Sequence, residues 1–304
     1  MSVTRKRVLI FGAGVIGSIY AIKFIEAGID VTMFARSNRL KALEENGLLY
    51  SEKGVVKSIK VNVIGTLEND DIYDFIFVPV RYDQIESALL ALKDNQSKII
   101  VTMTNSSTGF SSWLDIIGDR LLPAFPGAGG QIKDGVLYAR IPPKALMGTR
   151  FGEIDGLETE RVKNLIELLE TANLSSKIDS DMQAFLITHS VSDIAMTGIL
   201  VQDDKIIDEE ALRSRKTARR ISSTLKMYLR ALQEAGVTIN PSFFNIMLKC
   251  PSPILDTFFV LWLRSKMVKD MLAPDFAYSA NRENMQLEKD LLEFLSRKGV
   301  TPRV

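Results

Sequence analysis

Histidine and cysteine are nearly missing from this sequence: His189 and Cys250 are the single residues of each type in a chain of 304. One cysteine cannot form an intrachain disulfide, and the two residues cannot supply a metal site built from several Cys and His ligands. A chain without disulfides is typical of reducing compartments. We therefore predict a cytoplasmic protein and no bound metal.

Neither sign of charge is in excess. The chain has 38 Lys and Arg residues and 37 Asp and Glu residues, which leaves a net charge of +1. This balance provides no general electrostatic attraction toward nucleic acid or an anionic membrane surface. We therefore expect neither of them as a partner.

Long apolar runs are missing as well. No stretch reaches the roughly 18 uninterrupted apolar residues that a membrane-spanning helix requires. The start, MSVTRKRVLIFGAGVIG, has the basic and then apolar character of a signal peptide, but three glycines interrupt it and a periodic helix follows. We therefore expect neither a signal peptide nor a membrane span.

A glycine-rich turn is the most informative feature that is present. Residues 8–11 form a short apolar run, long enough for a buried parallel strand, and apolar residues recur at helical spacing after Gly17. The pattern GxGxxG is weak alone, but between a strand and a helix it predicts a dinucleotide site. Gly12 permits the turn, Gly14 lets the backbone approach a pyrophosphate, and Gly17 lets the helix lie close to the strand. The predicted cofactor contacts in this turn are Gly12, Ala13, Gly14, Val15, Ile16 and Gly17.

The end of the second predicted strand, 30–35, bears on the choice between NAD and NADP. NAD sites usually have an acidic residue there, which accepts a hydrogen bond from the ribose 2′-hydroxyl. This sequence has no acid at that point and continues with Arg36, Ser37, Asn38 and Arg39. A guanidinium forms paired hydrogen bonds to a phosphate. We predict that Arg36 selects NADPH and keep Arg39 as the second candidate, the alternative for each being a solvated surface charge.

Two other polar residues come just past the ends of predicted strands. Arg81 follows 75–80, and Asn105 follows 99–103. Open α/β sheets bind their ligands beyond the carboxyl ends of the strands. Arg81 is therefore a candidate contact for a phosphate or a substrate carboxylate, and Asn105 for a ribose or a carbonyl group. Both are also residue types found in ordinary turns.

The length of the chain is sufficient for two domains. We predict an α/β class with a dinucleotide-binding Rossmann domain over 1–176 and a helical substrate and dimerisation domain over 177–304. A homodimer through the second domain would cover its apolar helices. The helices predicted there lie at roughly 181–202, 208–235, 241–249, 253–272 and 280–298.

The chain resembles the ketopantoate reductase family, the NADPH-dependent 2-dehydropantoate 2-reductases. The matching segments are VLIFGAGVIGSIYAIKFIEAGIDVTMFARSNRLKALEENGL, FIFVPVRYDQIESAL and IIVTMTNSSTG. The resemblance covers nearly the whole chain and implies an all-α C-terminal domain like that of 6-phosphogluconate dehydrogenase. It also implies that the glycine turn and Arg36 bind NADPH, that Arg81 replaces a lysine near the cofactor, and that Asn105 lies beside the nicotinamide.

One important family residue is not matched. The resemblance implies a catalytic lysine in a pattern like Trp-Leu-Lys-Thr-His, where this chain reads FLITH at 185–189. The lysine position falls on Ile187, or on Thr188 if the register shifts by one. The family's acidic ligand contact falls on Glu283, for which the alternative is a first-turn glutamate favoured by the helix dipole. Our predicted catalytic residues are therefore Glu283, Asn105 and Thr188.

His189 belongs to the same pattern. It lies about 200° around the helix from Ile187, at 100° per residue. We therefore interpret it as a buried scaffold residue, and the alternative is a catalytic pair with Asp193, one helical turn away.

Three functions remain open at this point. The first is an NADPH-dependent reductase of a small 2-oxo acid or another carbonyl compound. The second is an NADP(H)-binding protein that has lost catalysis and acts as a sensor or through a partner. The third is a dehydrogenase of another substrate class that uses a histidine with an acidic neighbour.

Overall fold

The computed structural model describes residues 6–143, 148–202, 205–265, 268 and 274–303. The chain divides into two compact units. The first comprises Met1–Thr104 and Ser111–Met182, and the second comprises Asn105–Phe110 and Gln183–Val304. The second unit thus includes a short segment, Asn105–Phe110, that precedes most of it by more than 70 residues in sequence. The main division follows Met182, six residues beyond the predicted boundary at 176.

The first unit contains twelve of the described strands and five of the described helices. The strands are β1 (Arg7–Phe11), β2 (Asp30–Phe34), β3 (Leu48–Glu52), β4 (Val55–Ile59), β5 (Asn62–Ile64), β6 (Phe75–Val78), β7 (Ile100–Met103), β8 (Leu121–Phe125), β9 (Gly129–Lys133), β10 (Val136–Arg140), β11 (Thr149–Phe151) and β12 (Ser176–Ile178). The helices are α1 (Val15–Glu26), α2 (Ser37–Asn46), α3 (Ile85–Ala91), α4 (Ser111–Ile117) and α5 (Glu160–Thr171).

Eight of these strands form one sheet in the order β12-β11-β8-β7-β6-β1-β2-β5. Neighbouring strands are parallel except β11 and β8, which are antiparallel. The central strands are apolar without alternation, and all four residues of β6 and of β7 are buried. Continuous apolar strands are typical of a parallel sheet that is covered on both faces. The predicted α/β class is confirmed.

Aromatic side chains fix α1 on this sheet. The ring centroids of Phe24 and Phe77 are 5.3 Å apart, and those of Tyr20 and Phe77 are 6.2 Å apart. The Tyr20 hydroxyl shares a hydrogen bond of 2.5 Å with Thr149 Oγ1 and accepts one from the backbone N–H of Gly127. Burial raises the pKa of Tyr20 to about 12, so the hydroxyl stays protonated. The helix that follows the glycine turn is therefore held by both packing and polar contacts.

The second unit is mainly helical. Its described helices are α6 (Met182–Thr197), α7 (Glu209–Leu212), α8 (Arg215–Glu234), α9 (Phe243–Lys249), α10 (Ser252–Leu263) and α11 (Pro274–Arg297). Tyr228 of α8 donates a hydrogen bond of 2.5 Å to Glu288 of α11. Burial and this carboxylate raise the pKa of Tyr228. The helical character of the C-terminal region is confirmed, and within the described ranges every helix is too short or too polar to span a bilayer.

The structure corrects several predicted helix limits. The helix predicted to 202 ends at Thr197, and a small hairpin of β13 (Val201–Gln202) and β14 (Lys205–Ile206) follows, so this unit is not purely α-helical. Gly198 comes directly after the helix, and glycine is a poor helix former. The helix predicted over 208–235 is divided because Ser214 caps α8 by accepting from the Thr217 N–H. Most of the predicted 253–272 helix beyond 265 lies outside the described residues.

Candidate functional site

Two glycines of the N-terminal turn are required by the fold itself. Gly12 has a backbone φ of +143°, which residues other than glycine rarely adopt. A Cβ placed on Gly17 would lie 1.9 Å from the carbonyl oxygen of Gly12, far inside van der Waals contact. The start of α1 and the end of β1 therefore approach each other as the sequence predicted.

Gly14 has a different environment. It is the N-cap of α1 and has extended backbone angles, and no side chain caps this end of the helix. A Cβ placed on Gly14 would meet no other atom within 4 Å. The fold therefore leaves open space beside an uncapped helix N-terminus, whose N–H groups and partial positive charge suit an anion. This geometry fits the pyrophosphate of a dinucleotide.

Arg36 lies between β2 and α2. Its side chain is exposed, and among the described residues it has no hydrogen-bond or ion-pair partner. It is also the N-cap residue of α2, at which no side-chain cap is formed. A free guanidinium beside a helix N-terminus is a local positive site. The position at the carboxyl end of β2 is the one that the prediction of a 2′-phosphate contact requires.

Arg39 has a structural role that the sequence did not reveal. Its Nε donates to the carbonyl oxygen of Ala13 over 3.1 Å, and a terminal nitrogen donates to Ser18 Oγ over 3.2 Å. Burial lowers the pKa of the guanidinium. The side chain thus joins α2 to the glycine turn and to α1. Neither interpretation from the sequence, a phosphate contact or a solvated charge, describes these contacts.

Arg81 follows β6, and the loop before it touches the glycine turn. A Cβ on Gly12 would lie 3.1 Å from Val80 Cγ1, and β6 is the parallel neighbour of β1. The Nε of Arg81 donates to Asp83 Oδ1 over 3.2 Å. The predicted cofactor residues Gly12 and Arg81 are therefore at the same edge of the sheet.

Asn105 lies in the second unit, where it connects two residues of α6. Its Nδ2 donates to Asp193 Oδ2 over 2.6 Å, and its Oδ1 lies 3.0 Å from His189 Nδ1. The same His189 nitrogen is 3.6 Å from Asp193 Oδ2. The Asn105 side chain is buried, while His189 and Asp193 retain 24% and 31% of their side-chain exposure. We call these three side chains the amide-linked triad.

The other polar side chains of α6 have structural contacts. Thr188 is fully buried, and its Oγ1 accepts from the backbone N–H of Asn240 over 3.3 Å. Ser190 and Ser192 each donate, over 2.8 Å, to a carbonyl three residues earlier in the helix. Ile187, the other position to which the resemblance assigns the family lysine, is also fully buried. The structure does not bring the predicted catalytic residue Thr188 into the triad.

Glu283 lies within α11 rather than at its start. The helix begins at Pro274, nine residues earlier, so Glu283 is in the third turn and the first-turn interpretation is wrong. The next residue, Asn284, is buried and donates to Thr197 Oγ1, which itself donates to the Asp193 carbonyl over 2.8 Å. The helix that carries Glu283 is thus tied to the end of α6.

Comparisons with known proteins agree with this fold. Residues 8–112 match the model of the family described as Ketopantoate reductase PanE/ApbA. A 2-dehydropantoate 2-reductase of Archaeoglobus fulgidus is 26% identical over 194 residues, which cover 64% of this chain and 63% of that protein. The matched part is slightly less than two thirds of the length of this relative.

Solved structures of very different sequence share the architecture. A 2-dehydropantoate 2-reductase from Geobacter metallireducens GS-15 has a TM-score of 0.73 and 16% identity, over 97% of this chain and 95% of that one. A D-mandelate dehydrogenase with NADH and anilino(oxo)acetate has a TM-score of 0.67 and 13% identity, over 94% of this chain and 99% of that one. At such identities these similarities show the fold alone.

The fold and the glycine turn therefore define a protein with a Rossmann-type unit followed by a helical unit. Residues 8–112 are similar to the ketopantoate reductase family, and the resemblance predicted from the sequence is confirmed to that extent.

Proposed function

We propose that the protein is an NADPH-dependent reductase of a small 2-oxo acid or a related carbonyl compound. The observation that carries this proposal is the open space at Gly14 beside the uncapped N-terminus of α1, with Arg36 at the end of the next strand. The similarity to a 2-dehydropantoate 2-reductase supports the reaction class. The D-mandelate dehydrogenase of similar fold was solved with the 2-oxo acid derivative anilino(oxo)acetate, which supports the substrate class.

The residues of the first unit would hold the cofactor. The N–H groups at the start of α1 would bind the pyrophosphate, and Arg36 would bind the 2′-phosphate. Bound NADPH supplies the hydride that the carbonyl carbon receives. One solved structure of the same fold contains NADH, so the preference for NADPH rests on Arg36 and on the lack of an acid at the end of β2.

Arg36, at the N-cap of α2, and Arg39, in the first turn of that helix, provide a matched test of the preference for NADPH. We expect Arg36→Ala to weaken NADPH binding about 10- to 100-fold and to leave NADH binding unchanged, because it removes charge-assisted hydrogen bonds to the 2′-phosphate. Arg39→Ala should weaken both cofactors by a similar factor, because Arg39 holds the glycine turn rather than the phosphate. Fluorescence titration of each variant with NADPH and NADH measures these effects.

Equal losses for both cofactors in the Arg36 variant would contradict the assignment of NADPH selectivity. NADPH oxidation is measured in parallel with ketopantoate and a panel of other 2-oxo acids. Tight NADPH binding without turnover of any of them would overturn the reductase proposal and would favour an NADP(H)-binding role.

The helical unit also supports a homodimer. One face of α10 exposes Ile254, Phe258 and Leu261, and α9 exposes Phe243 and Ile246; each is between 49% and 68% exposed. With large side chains of roughly 200 Å² each, the five leave on the order of 500 Å² of apolar surface, against about 800 Å² per partner in a standard interface. The net charge of +1 opposes self-association very little. We therefore propose a second copy of the chain as the partner that covers these exposed apolar side chains of α9 and α10.

We expect the protein to have twice the chain mass of 33.9 kDa in light scattering at micromolar concentration. Phe258→Lys should give a monomer, because it places a charge at the centre of the apolar face. Leu114→Lys, at an exposed apolar residue of α4, is the control and should leave the mass unchanged. A monomeric unsubstituted protein would overturn the homodimer.

A further inference from the structure

The hydrogen bonds of the amide-linked triad determine where the imidazole proton lies. An ionised Asp193 carboxylate only accepts hydrogen bonds, so the Asn105 atom 2.6 Å from it is the donating Nδ2. The Asn105 Oδ1 then faces His189 Nδ1, 3.0 Å away. Since a carbonyl oxygen accepts only, His189 Nδ1 must carry a proton. The exchangeable site of this imidazole is therefore Nε2.

This arrangement is suited to proton donation because the hydrogen bond between His189 Nδ1 and Asn105 Oδ1 is kept when the proton on Nε2 leaves. The imidazolium has protons on both nitrogens, and the neutral ring that remains keeps its proton on Nδ1. Both forms make the same hydrogen bond to Asn105 Oδ1, so neither Asn105 nor Asp193 has to reorient. The Asp193 carboxylate lies 3.6 Å from Nδ1, on the same side of the ring as Asn105 Oδ1.

The position in the chain also fits a site residue. Asn105 is the second residue after β7, and residues that follow the strands of open α/β sheets are those that contact ligands. The hydroxyl groups of Thr188, Ser190 and Ser192 all have contacts with the backbone. His189 is the residue of α6 that combines partial exposure, a defined tautomer and a carboxylate neighbour.

We propose that His189 is the proton donor of the reduction and that Asn105 and Asp193 are its positioning residues. The carbonyl carbon accepts a hydride, the π electron pair of the C=O bond moves to oxygen, and the oxygen takes the proton from His189 Nε2. The bond between Nε2 and its proton breaks, the imidazole becomes neutral, and water returns a proton to it afterwards. This inference rests on the proposed reductase function.

The first test needs no activity. Because His189 is the single histidine, a long-range ¹H–¹⁵N spectrum of the ¹⁵N-labelled protein contains one imidazole pattern. We expect the neutral ring to be the Nδ1–H tautomer. In Asp193→Leu, Asn105 loses its acceptor and is free to rotate, so the Nε2–H tautomer should appear. Asp193→Asn keeps an acceptor oxygen and should retain the Nδ1–H form. A neutral ring in the Nε2–H form in the unsubstituted protein would overturn the proposed arrangement.

The second test uses kinetics of the full-length protein. We expect His189→Gln to lower kcat about 10²- to 10⁴-fold, the usual contribution of a general acid, with NADPH affinity unchanged. In the unsubstituted protein kcat should fall as the pH rises, because the proton donor loses its proton. In His189→Gln this fall should be absent. Asp193→Leu should lower kcat about 10- to 100-fold, as outer-shell substitutions do at other sites, and Asp193→Asn less. Asp115→Asn, on an exposed residue of α4, is the charge control.

The outcomes separate this inference from the proposed function. If His189→Gln keeps kcat within about threefold and keeps the pH profile, the reductase remains and His189 is not the donor. If the unsubstituted protein binds NADPH and reduces none of the carbonyl compounds, the proposed function fails first, whatever tautomer the spectrum shows.

Discussion

Adding one methyl group at Gly14 should abolish dinucleotide binding and leave the protein folded. A Cβ there meets no atom of the protein within 4 Å, and the backbone has angles that alanine adopts readily. The methyl group would occupy the space through which a pyrophosphate reaches the N–H groups of α1. We expect the dissociation constant of NADPH to rise at least about 100-fold, which corresponds to roughly 2.7 kcal/mol.

The same methyl group three residues later, at Gly17, should instead lower the stability of the fold. At Gly17 it lies 1.9 Å from the Gly12 carbonyl oxygen and 2.9 Å from Ile10 Cγ2, so the helix must move away from the strand. We expect Gly17→Ala to lower the free energy of unfolding by about 3 kcal/mol and the melting temperature by about 10 °C. Thermal unfolding and NADPH titration of both variants measure the contrast. If Gly14→Ala binds NADPH with unchanged affinity, the proposal that the pyrophosphate binds at this turn is wrong.

The part of the first unit around the glycine turn could be predicted from the sequence because its signals are local. The apolar runs of β1, β6 and β7, the glycine turn and the helix after it all lie within short windows, where period and turn chemistry are informative. Their observed limits differ from the predicted ones by one or two residues. Gly17 in particular was assigned to close helix–strand packing, and the distance to Gly12 agrees with that.

The amide-linked triad was less accessible because its members are far apart in sequence. Asn105 is separated from His189 by 84 residues and from Asp193 by 88. The i,i+4 spacing of His189 and Asp193 is the local signal for this triad, and it does not show that Asn105 joins the two side chains. The structural contacts of Arg39 were not predicted for a similar reason, since its acceptor is a backbone carbonyl and a sequence pattern does not show which carbonyl needs a donor.

Replacing Glu153 should be among the most destabilising substitutions of a polar residue in the first unit. Its carboxylate is buried and accepts hydrogen bonds from Thr159 and from Arg161, whose Nε lies 2.7 Å away. Arg161 also donates to the carbonyl oxygens of Asp119 and Leu121, so the pair joins the start of α5 to the start of β8. Glu153→Gln leaves the partly buried guanidinium of Arg161 facing a neutral amide group. We expect the free energy of unfolding to fall by about 3 kcal/mol.

The ion pair of Glu153 and Arg161 should make the folded state less stable at low pH. Burial raises the pKa of Glu153, but the hydrogen bonds from Arg161 and Thr159 outweigh it, and the pKa lies below its ordinary value of 4.5. A carboxylate with a lowered pKa stabilises the folded state fully above the pKa of the unfolded chain, and this contribution is lost as the pH falls through the lower, folded-state value. The unsubstituted protein should therefore lose stability below about pH 4.5, and Glu153→Gln should lose less over the same range.

Urea unfolding of both proteins between pH 7 and pH 3 measures this difference, and two controls identify its source. Glu160→Gln removes the carboxylate of an exposed ion pair with Lys163 on the same helix, α5, and should leave stability unchanged, because solvent screens exposed pairs. The double variant Glu153→Gln, Arg161→Met, compared with Arg161→Met alone, measures the coupling of the two side chains; the second substitution should cost less than Glu153→Gln does in the unsubstituted protein, since no guanidinium is then left without its carboxylate. If Glu153→Gln and the unsubstituted protein lose stability in parallel below pH 4.5, the acid sensitivity comes from other carboxylates. If the double variant is additive, the two side chains act independently, and the cost of Glu153→Gln then reflects the loss of the Thr159 contact rather than of the ion pair.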